Sequence, residues 1–237
     1  MTDGTPPAAA VFDAVVFDMD GVLVDSEHLW EENWTAYAAR HDVRWTPEDT
    51  ATVQGMSAPE WAAYLADRSG TADTVEQVEH AVVDGMIAAI EAGEAPLLPG
   101  ADTMVEDVSA KVPIALASSA TRKVIDAVLS THGLAGAFTA TVSSAEVERG
   151  KPNPDVYLEA SARLGKSGGE CLAVEDSSNG IKAAAAAGLT VIALPNKTYP
   201  PRDDALALAS EVAADNDEVR LALLAYLAGD TAIGEVL

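Results

Sequence analysis

Six short apolar runs punctuate this chain: Ala14–Phe17, Val112–Ala117, Thr139–Val142, Cys171–Val174, Thr190–Leu194 and, more weakly, Glu211–Ala214. The first five carry no charge and are short enough for strands buried on both faces. Between most of them the apolar positions switch to helical spacing, as in Val124, Ile125, Val128 and Leu129, and in the alanine-rich stretch Ile181–Ala187. Strand–helix alternation of this kind predicts the α/β class, with a doubly wound, Rossmann-like parallel sheet.

One stretch departs from the alternation. From Ser26 to about Leu98 nothing reads as a strand, and the apolar residues keep a helical period. Trp30, Trp34 and Tyr37 share one face; Trp61, Tyr64 and Leu65 mark a second helix; Val75, Val78, Val82, Met86 and Ile90 mark a third. Thr46-Pro47-Glu48 and Ser57-Ala58-Pro59-Glu60 read as helix starts, a capping residue with proline in the first turn. The organisation expected is an α/β core of residues 11–26 and 95–237, with a small α-helical domain of residues 27–94 inserted after the first strand. The aromatics of that insert read as core packing, and Leu97-Leu98-Pro99-Gly100 marks the return to the core.

The first strand ends in Phe17-Asp18-Met19-Asp20-Gly21-Val22. Alternate side chains of an extended segment point the same way, so Asp18 and Asp20 approach one small site, and Gly21 lets the backbone turn. Two acids so placed repel unless a cation lies between them or one keeps a proton, which suits divalent-metal or nucleophile-plus-acid chemistry. A solvated Asp-x-Asp-Gly loop is the plainer reading. A calcium loop fits poorly, because the third acid and closing Glu are missing and a strand precedes the motif.

Three further strand ends carry useful groups. Ser118, Ser119 and Thr121 follow the second; Gly150-Lys151-Pro152-Asn153-Pro154-Asp155 lies in a loop after the third; Glu175 and Asp176, then Ser177-Ser178-Asn179-Gly180, follow the fourth. In a parallel sheet these ends share one edge. Singly, Ser118 and Ser177 read as helix caps, Lys151 as a surface base and Glu175-Asp176 as a turn; together they hold the groups that phosphate chemistry needs.

Composition narrows the classes. At 237 residues, 49% of them hydrophobic, the chain builds a sizeable globular core. Thirty-eight acids against 14 bases, a formal charge of −24, disfavour nucleic acid and anionic membranes as partners. The single cysteine, Cys171, begins an apolar strand and reads as buried. Met1–Ala10 reads as a flexible lead without signal-peptide character, and no run is long enough to span a membrane, so a soluble cytoplasmic protein, monomeric or weakly homodimeric, is expected. His28, His41, His80 and His132 show no paired metal-ligand spacing. The loop Pro195–Pro201 is placed at the surface near the pocket rim.

Phe-Asp-Met-Asp-Gly-Val-Leu-Val-Asp-Ser-Glu at 17–27, Ala-Ser-Ser at 117–119, Gly-Lys-Pro-Asn-Pro-Asp at 150–155 and Val-Glu-Asp-Ser-Ser-Asn-Gly at 174–180 together resemble the haloacid dehalogenase superfamily, from about Val11 to about Leu227. The position of the insert is similar to the subclass with a small helical cap, and to its sugar-phosphatase and phosphoglucomutase-like branch. The resemblance implies a phosphatase of small phosphorylated metabolites, sugar phosphates foremost. Asp18 would be the nucleophile forming an aspartyl-phosphate, and Asp20 the general acid and base. Ser118 and Lys151 would hold the phosphoryl oxygens, helped by amides at the start of the 177–187 helix. Mg²⁺ would bind an Asp18 oxygen, the Asp20 carbonyl and Asp176, with Glu175 close by. Ser119 and Thr121 are weaker substrate contacts. Trp30, Gln54 and Met56 would face the leaving group, under a cap that closes on hinges near Ser26 and Leu98.

Single residues separate the branches. Asp20 argues against a dehalogenase, and no lysine precedes Lys111 to form the Schiff base of a phosphonate hydrolase. In the mutase branch a cap histidine and an arginine hold a second phosphate; Trp30 and Ala58 stand at those places. A phosphosugar mutase is the alternative. A receiver-like or non-catalytic phosphate-binding module is the alternative of another class, against which the length, the insert and the complete motif set argue.

Overall fold

The computed structural model describes residues 12–54 and 56–229. The lead Met1–Ala10, Val11 at the start of the expected core, Gly55, and residues 230–237 at the end of the expected core lie outside the described residues. Strands β1 (Ala14–Phe17), β2 (Ile114–Ser118), β3 (Ala140–Ser143), β4 (Cys171–Glu175), β5 (Thr190–Ala193) and β6 (Glu211–Val212) form one parallel sheet in the order β3-β2-β1-β4-β5-β6. This is the doubly wound α/β sheet expected. Every strand but β1 shifts a bound by one or two residues from its apolar run. β2 begins two residues late, because Pro113 has no N–H for the ladder. β2 and β4 each run one residue past their apolar runs, drawing Ser118 and Glu175 into register with Ser143 and Ala193.

Five helices separate β1 from β2: α1 (Glu27–Arg40), α2 (Pro47–Val53), α3 (Ala58–Ser69), α4 (Val75–Glu91) and α5 (Ala101–Ser109). The later ones are α6 (Arg122–Thr131), α7 (Asp155–Arg163), α8 (Ser178–Ala186), α9 (Asp203–Leu206) and α10 (Asn216–Ala228). Helices α2 and α3 start where Thr46 and Ser57 announce them. Each hydroxyl belongs to a reciprocal capping box, with Asp49 and Glu60 reaching back, and proline fills an early position whose N–H is spare. Helix α4 contains all five residues that mark the third helix; Val75, at its first position, is 39% exposed, while Val78, Val82, Met86 and Ile90 are buried.

Alternation along the strands sorts the core into two faces. Val15, Phe17, Leu116 and Val174 point to the side packed by α5, α6 and α10, continuous with the apolar interior of α1 to α4. Ala14, Val16, Ala115, Ala117 and Ala173 point to the other side. Their small side chains let α7 and α8 lie close to the sheet, and Tyr157, Ala160, Ile181, Ala183 and Ala184 complete that face. Cys171 is fully buried there. The chain leaves and re-enters the sheet along paired segments: Asp25 N–H donates to the Pro96 carbonyl and Leu98 N–H to the Leu23 carbonyl, both at 2.9 Å. Among the described residues no helix is long and apolar enough to cross a membrane.

Candidate active site

Strand order positions the site. β1 lies between β2 and β4, and the chain's progression across the sheet reverses beside β1, where open α/β folds leave a crevice. Asp18 follows β1 immediately, its N–H donating to the Val174 carbonyl at 3.0 Å, so the ends of β1 and β4 are pinned together. Gly21 then turns the chain at φ +75°, and any Cβ there would run into the Asp176 carboxylate. Only glycine permits this turn so close to that acid.

Lys151 closes the cluster from the loop after β3. Its buried ammonium donates to Asp18 Oδ1 and to Glu175 Oε1, both at 2.6 Å. Carboxylate oxygens of Asp18, Glu175 and Asp176 come within 4.8 Å of one another, and all three residues are buried. Burial drives the Asp18 carboxyl up to about 8, with Glu175 and Asp20 adding and Lys151 opposing. Burial likewise holds Asp176 well above the usual carboxylate range, reinforced by Glu175 and Asp18. Burial pulls the Lys151 ammonium down, but Asp18 and Glu175 more than offset that and raise it. One ammonium among three buried carboxylates leaves negative charge uncompensated. An all-oxygen donor set with that charge fits a hard divalent cation.

Glu175 is the most heavily bonded member. Its Oε1 accepts from Lys151 and from the Tyr157 hydroxyl at 2.8 Å; its Oε2 accepts from the Asp176 N–H, the Ser177 N–H and the Ser177 hydroxyl. The Ser177 amide, just ahead of α8, thus turns inward to Glu175, while its hydroxyl accepts from the Gly180 N–H as the helix cap its position suggests. Tyr157, in the first turn of α7, also places its ring 5.2 Å from the Lys151 ammonium. The sequence reading missed Tyr157; its signal was an aromatic six residues after Lys151, on the inward side of the helix that follows.

Above this floor the insert supplies a wall. One cavity is lined by Asp18, Asp20, Lys151, Asp176 and Ser119 below and by Trp30, Trp61, Gln54 and Met56 above. Asp20 reaches toward the insert: its Oδ1 accepts from Trp30 Nε1 at 3.0 Å and from the Ser26 hydroxyl. Trp30, Trp34 and Trp61 pack on one another with ring centroids 5.8–6.1 Å apart, as core packing requires, yet all three also line the cavity. For these residues packing and lining coincide.

Other sequence-predicted residues fall slightly apart. Ser118 is fully buried beneath the floor, its Oγ accepting from the Ala120 N–H at 3.0 Å, while Ser119 and Ala120 line the cavity. Thr121 stands at the start of α6, buried and away from the lining. Sequence reasoning assigned no role to Glu27, Asn196 or Tyr199, which close the rim. Glu27 accepts from Gln54 Nε2 at 3.1 Å and from Asn196, whose amide also reaches Asp176 at 3.1 Å; Tyr199 donates to Glu31 at 2.7 Å. Burial raises Glu27 above its ordinary value, and the two amide donors pull it back. The loop expected near the rim is therefore there, tied to α1.

Comparison with known proteins agrees with this geometry. A family model described as haloacid dehalogenase-like hydrolase matches residues 12–188. The bifunctional riboflavin kinase/FMN phosphatase of Arabidopsis thaliana is 30% identical over 209 residues, covering 87% of this chain and 54% of its own length, so this chain spans about half of that relative. Hexitol phosphatase A of Escherichia coli is 34% identical over 194 residues, covering 79% of this chain and 85% of that one. Among solved structures, CbbY from Rhodobacter sphaeroides in complex with phosphate superposes with a TM-score of 0.80 at 24% identity, covering 88% of this chain and 96% of that one. A mutant of the same protein, solved with xylulose 1,5-bisphosphate, gives a TM-score of 0.79 at 23% identity over the same shares.

Proposed function

The chain belongs to the haloacid dehalogenase-like hydrolase family, and on that premise we propose that it is a Mg²⁺-dependent phosphatase of small phosphorylated metabolites, sugar phosphates foremost. The observation that carries the reading is the Lys151 ammonium held between Asp18 and Glu175, with Asp176 alongside, on the floor of a cavity walled by the helical insert. Hexitol phosphatase A supports the substrate class.

In this reading Asp18 attacks the phosphorus of a bound monophosphate, and the bond to the alkoxide oxygen breaks. The alkoxide takes a proton from Asp20 and leaves as an alcohol. Asp20, now ionised, removes a proton from a water molecule that attacks the aspartyl-phosphate, releasing inorganic phosphate and restoring Asp18. Lys151 and the segment Ser118–Ala120 hold the phosphoryl oxygens, and Lys151 compensates charge as it builds on them. Asp18, Asp176 and the Asp20 carbonyl would hold Mg²⁺, with Glu175 behind them. When bound, the ion supplies positive charge at the transferring oxygens and relieves the repulsion among the acids. Residues 27–94 act as a cap, with Trp30, Gln54 and Met56 toward the leaving group and the paired segments near Ser26 and Leu98 as hinges.

A phosphosugar mutase is the second reading, and the bisphosphate bound by the CbbY mutant keeps it in view. A mutase must seat a second phosphate in the cap, where Trp30 and Ala58 offer no charge. Phosphate release from hexitol, hexose, glycolate and nucleotide monophosphates, with Mg²⁺ and with chelator, tests the proposal. Release abolished by chelator and by Asp18→Asn is expected. Full activity in Asp18→Asn would sink the mechanism, and interconversion of glucose 1-phosphate without release would restore the mutase.

A further inference from the structure

The charge around the leaving-group end of the cavity carries a sharper statement about substrate, which rests on the phosphatase reading above. Among the described residues lining the cavity Lys151 is the sole base, and its ammonium is already committed to Asp18 and Glu175. The insert contributes no base to the lining. Arg68 of the insert is committed to Asp49 at 3.1 Å. What the insert does contribute is a carboxylate. Glu27 faces the cavity between Gln54 and Asn196, each of which donates one hydrogen bond to it. A carboxylate accepts about four such bonds, so acceptor capacity remains.

We infer that the substrate's leaving group is an uncharged polyhydroxyl alcohol, read by Glu27, and that Glu27 excludes any leaving group bearing a second phosphate or carboxylate. A hydroxyl supplies the proton that Glu27 can still accept, and the C–H faces of a sugar or sugar alcohol suit the indole wall of Trp30 and Trp61. A second anion there meets the Glu27 carboxylate where the lining's one base is committed to Asp18 and Glu175, and like-charge juxtaposition is strongly unfavourable.

The test is kcat/KM with Mg²⁺ for glucitol 6-phosphate, fructose 1,6-bisphosphate, phosphocholine and p-nitrophenyl phosphate, in wild type and Glu27→Gln. The expected result is glucitol 6-phosphate favoured over the bisphosphate by roughly 100-fold or more, with that ratio narrowing about tenfold in Glu27→Gln. Because a ratio is read, any common loss in the variant cancels. A bisphosphate or phosphocholine cleaved as well as the hexitol phosphate overturns the inference while leaving the phosphatase intact. An unchanged ratio in Glu27→Gln overturns the role given to Glu27. Failure to cleave even the aryl phosphate brings down the phosphatase reading and this inference with it.

Discussion

Trp30 donates its indole N–H to Asp20 Oδ1 at 3.0 Å, joining the first helix of the insert to the second acid of the site. The Ser26 hydroxyl donates to the same oxygen, so one carboxylate of the core is held by two donors from the start of the insert. Aromatic positions that read as core thus include one that orients Asp20.

Trp30→Phe keeps the ring and removes the donor. If Asp20 protonates the leaving alkoxide, its orientation matters most when the leaving group is a poor one. We expect kcat for an alkyl phosphate to fall about tenfold, a fraction of the full worth of general acid catalysis. An aryl phosphate, whose leaving group scarcely needs the proton, should fall less. Parallel kinetics on the two substrates check this, and an equal loss on both would reduce Trp30 to packing.

Tyr157→Phe tests the buried hub at Glu175. The hydroxyl is fully buried and donates to Glu175 at 2.8 Å. Removing it strips one of the bonds that fix the Lys151 partner, at a cost of about 1–3 kcal/mol. Urea unfolding should show a lower midpoint at unchanged slope. A midpoint equal to that of wild type would mean that Lys151 and the Asp176 and Ser177 amides satisfy Glu175 without it.

The parts legible in the sequence were those written in short-range pattern. Unbroken apolar runs located the sheet, and the capping residues Thr46 and Ser57 located two helix starts to the residue. Asp18, Asp20 and Asp176 were legible because each lies just past a strand, and Lys151 because its loop follows one; in a parallel sheet such ends share one edge. The missed residues depend on distance across the fold. Glu27 and Asn196 meet across 169 positions, and nothing local marks either as a partner of the other. Ser177 reads locally as a helix cap and is one, but that its amide turns inward shows only once the Glu175 carboxylate is placed beside it.

Gly21→Ala should loosen the metal site more than the fold. The position holds φ +75°, where an L side chain is strained by roughly 1–2 kcal/mol. The added Cβ would also push against the Asp176 carboxylate. Mg²⁺ titration of phosphatase activity should show half-saturation displaced upward by about tenfold, as expected for a disturbed ligand. An unmoved half-saturation point, with lowered stability alone, would remove Asp176 from the metal site.

The raised carboxyls make stability depend on pH in an unusual direction. Without a divalent cation the folded protein keeps protons on Asp18, up to about 8, and on Asp176, held well above its ordinary value. The unfolded chain releases the same protons near pH 4. Between about pH 4 and pH 8 the folded state therefore binds more protons than the unfolded one, and these groups make stability fall as pH rises through that window. Glu27, also raised by burial, adds in the same direction. Asp49 and Glu146, both held low by hydrogen bonds and arginines against the pull of burial, act oppositely, but below that window. Mg²⁺ requires ionised carboxylates and so competes with these protons. In EDTA, Tm should decline from pH 5 to pH 8; the increment added by Mg²⁺ should grow over the same range. Thermal melts at both pH values, with and without Mg²⁺, decide it. An increment as large at pH 5 as at pH 8 would mean that the cation does not bind at Asp18 and Asp176.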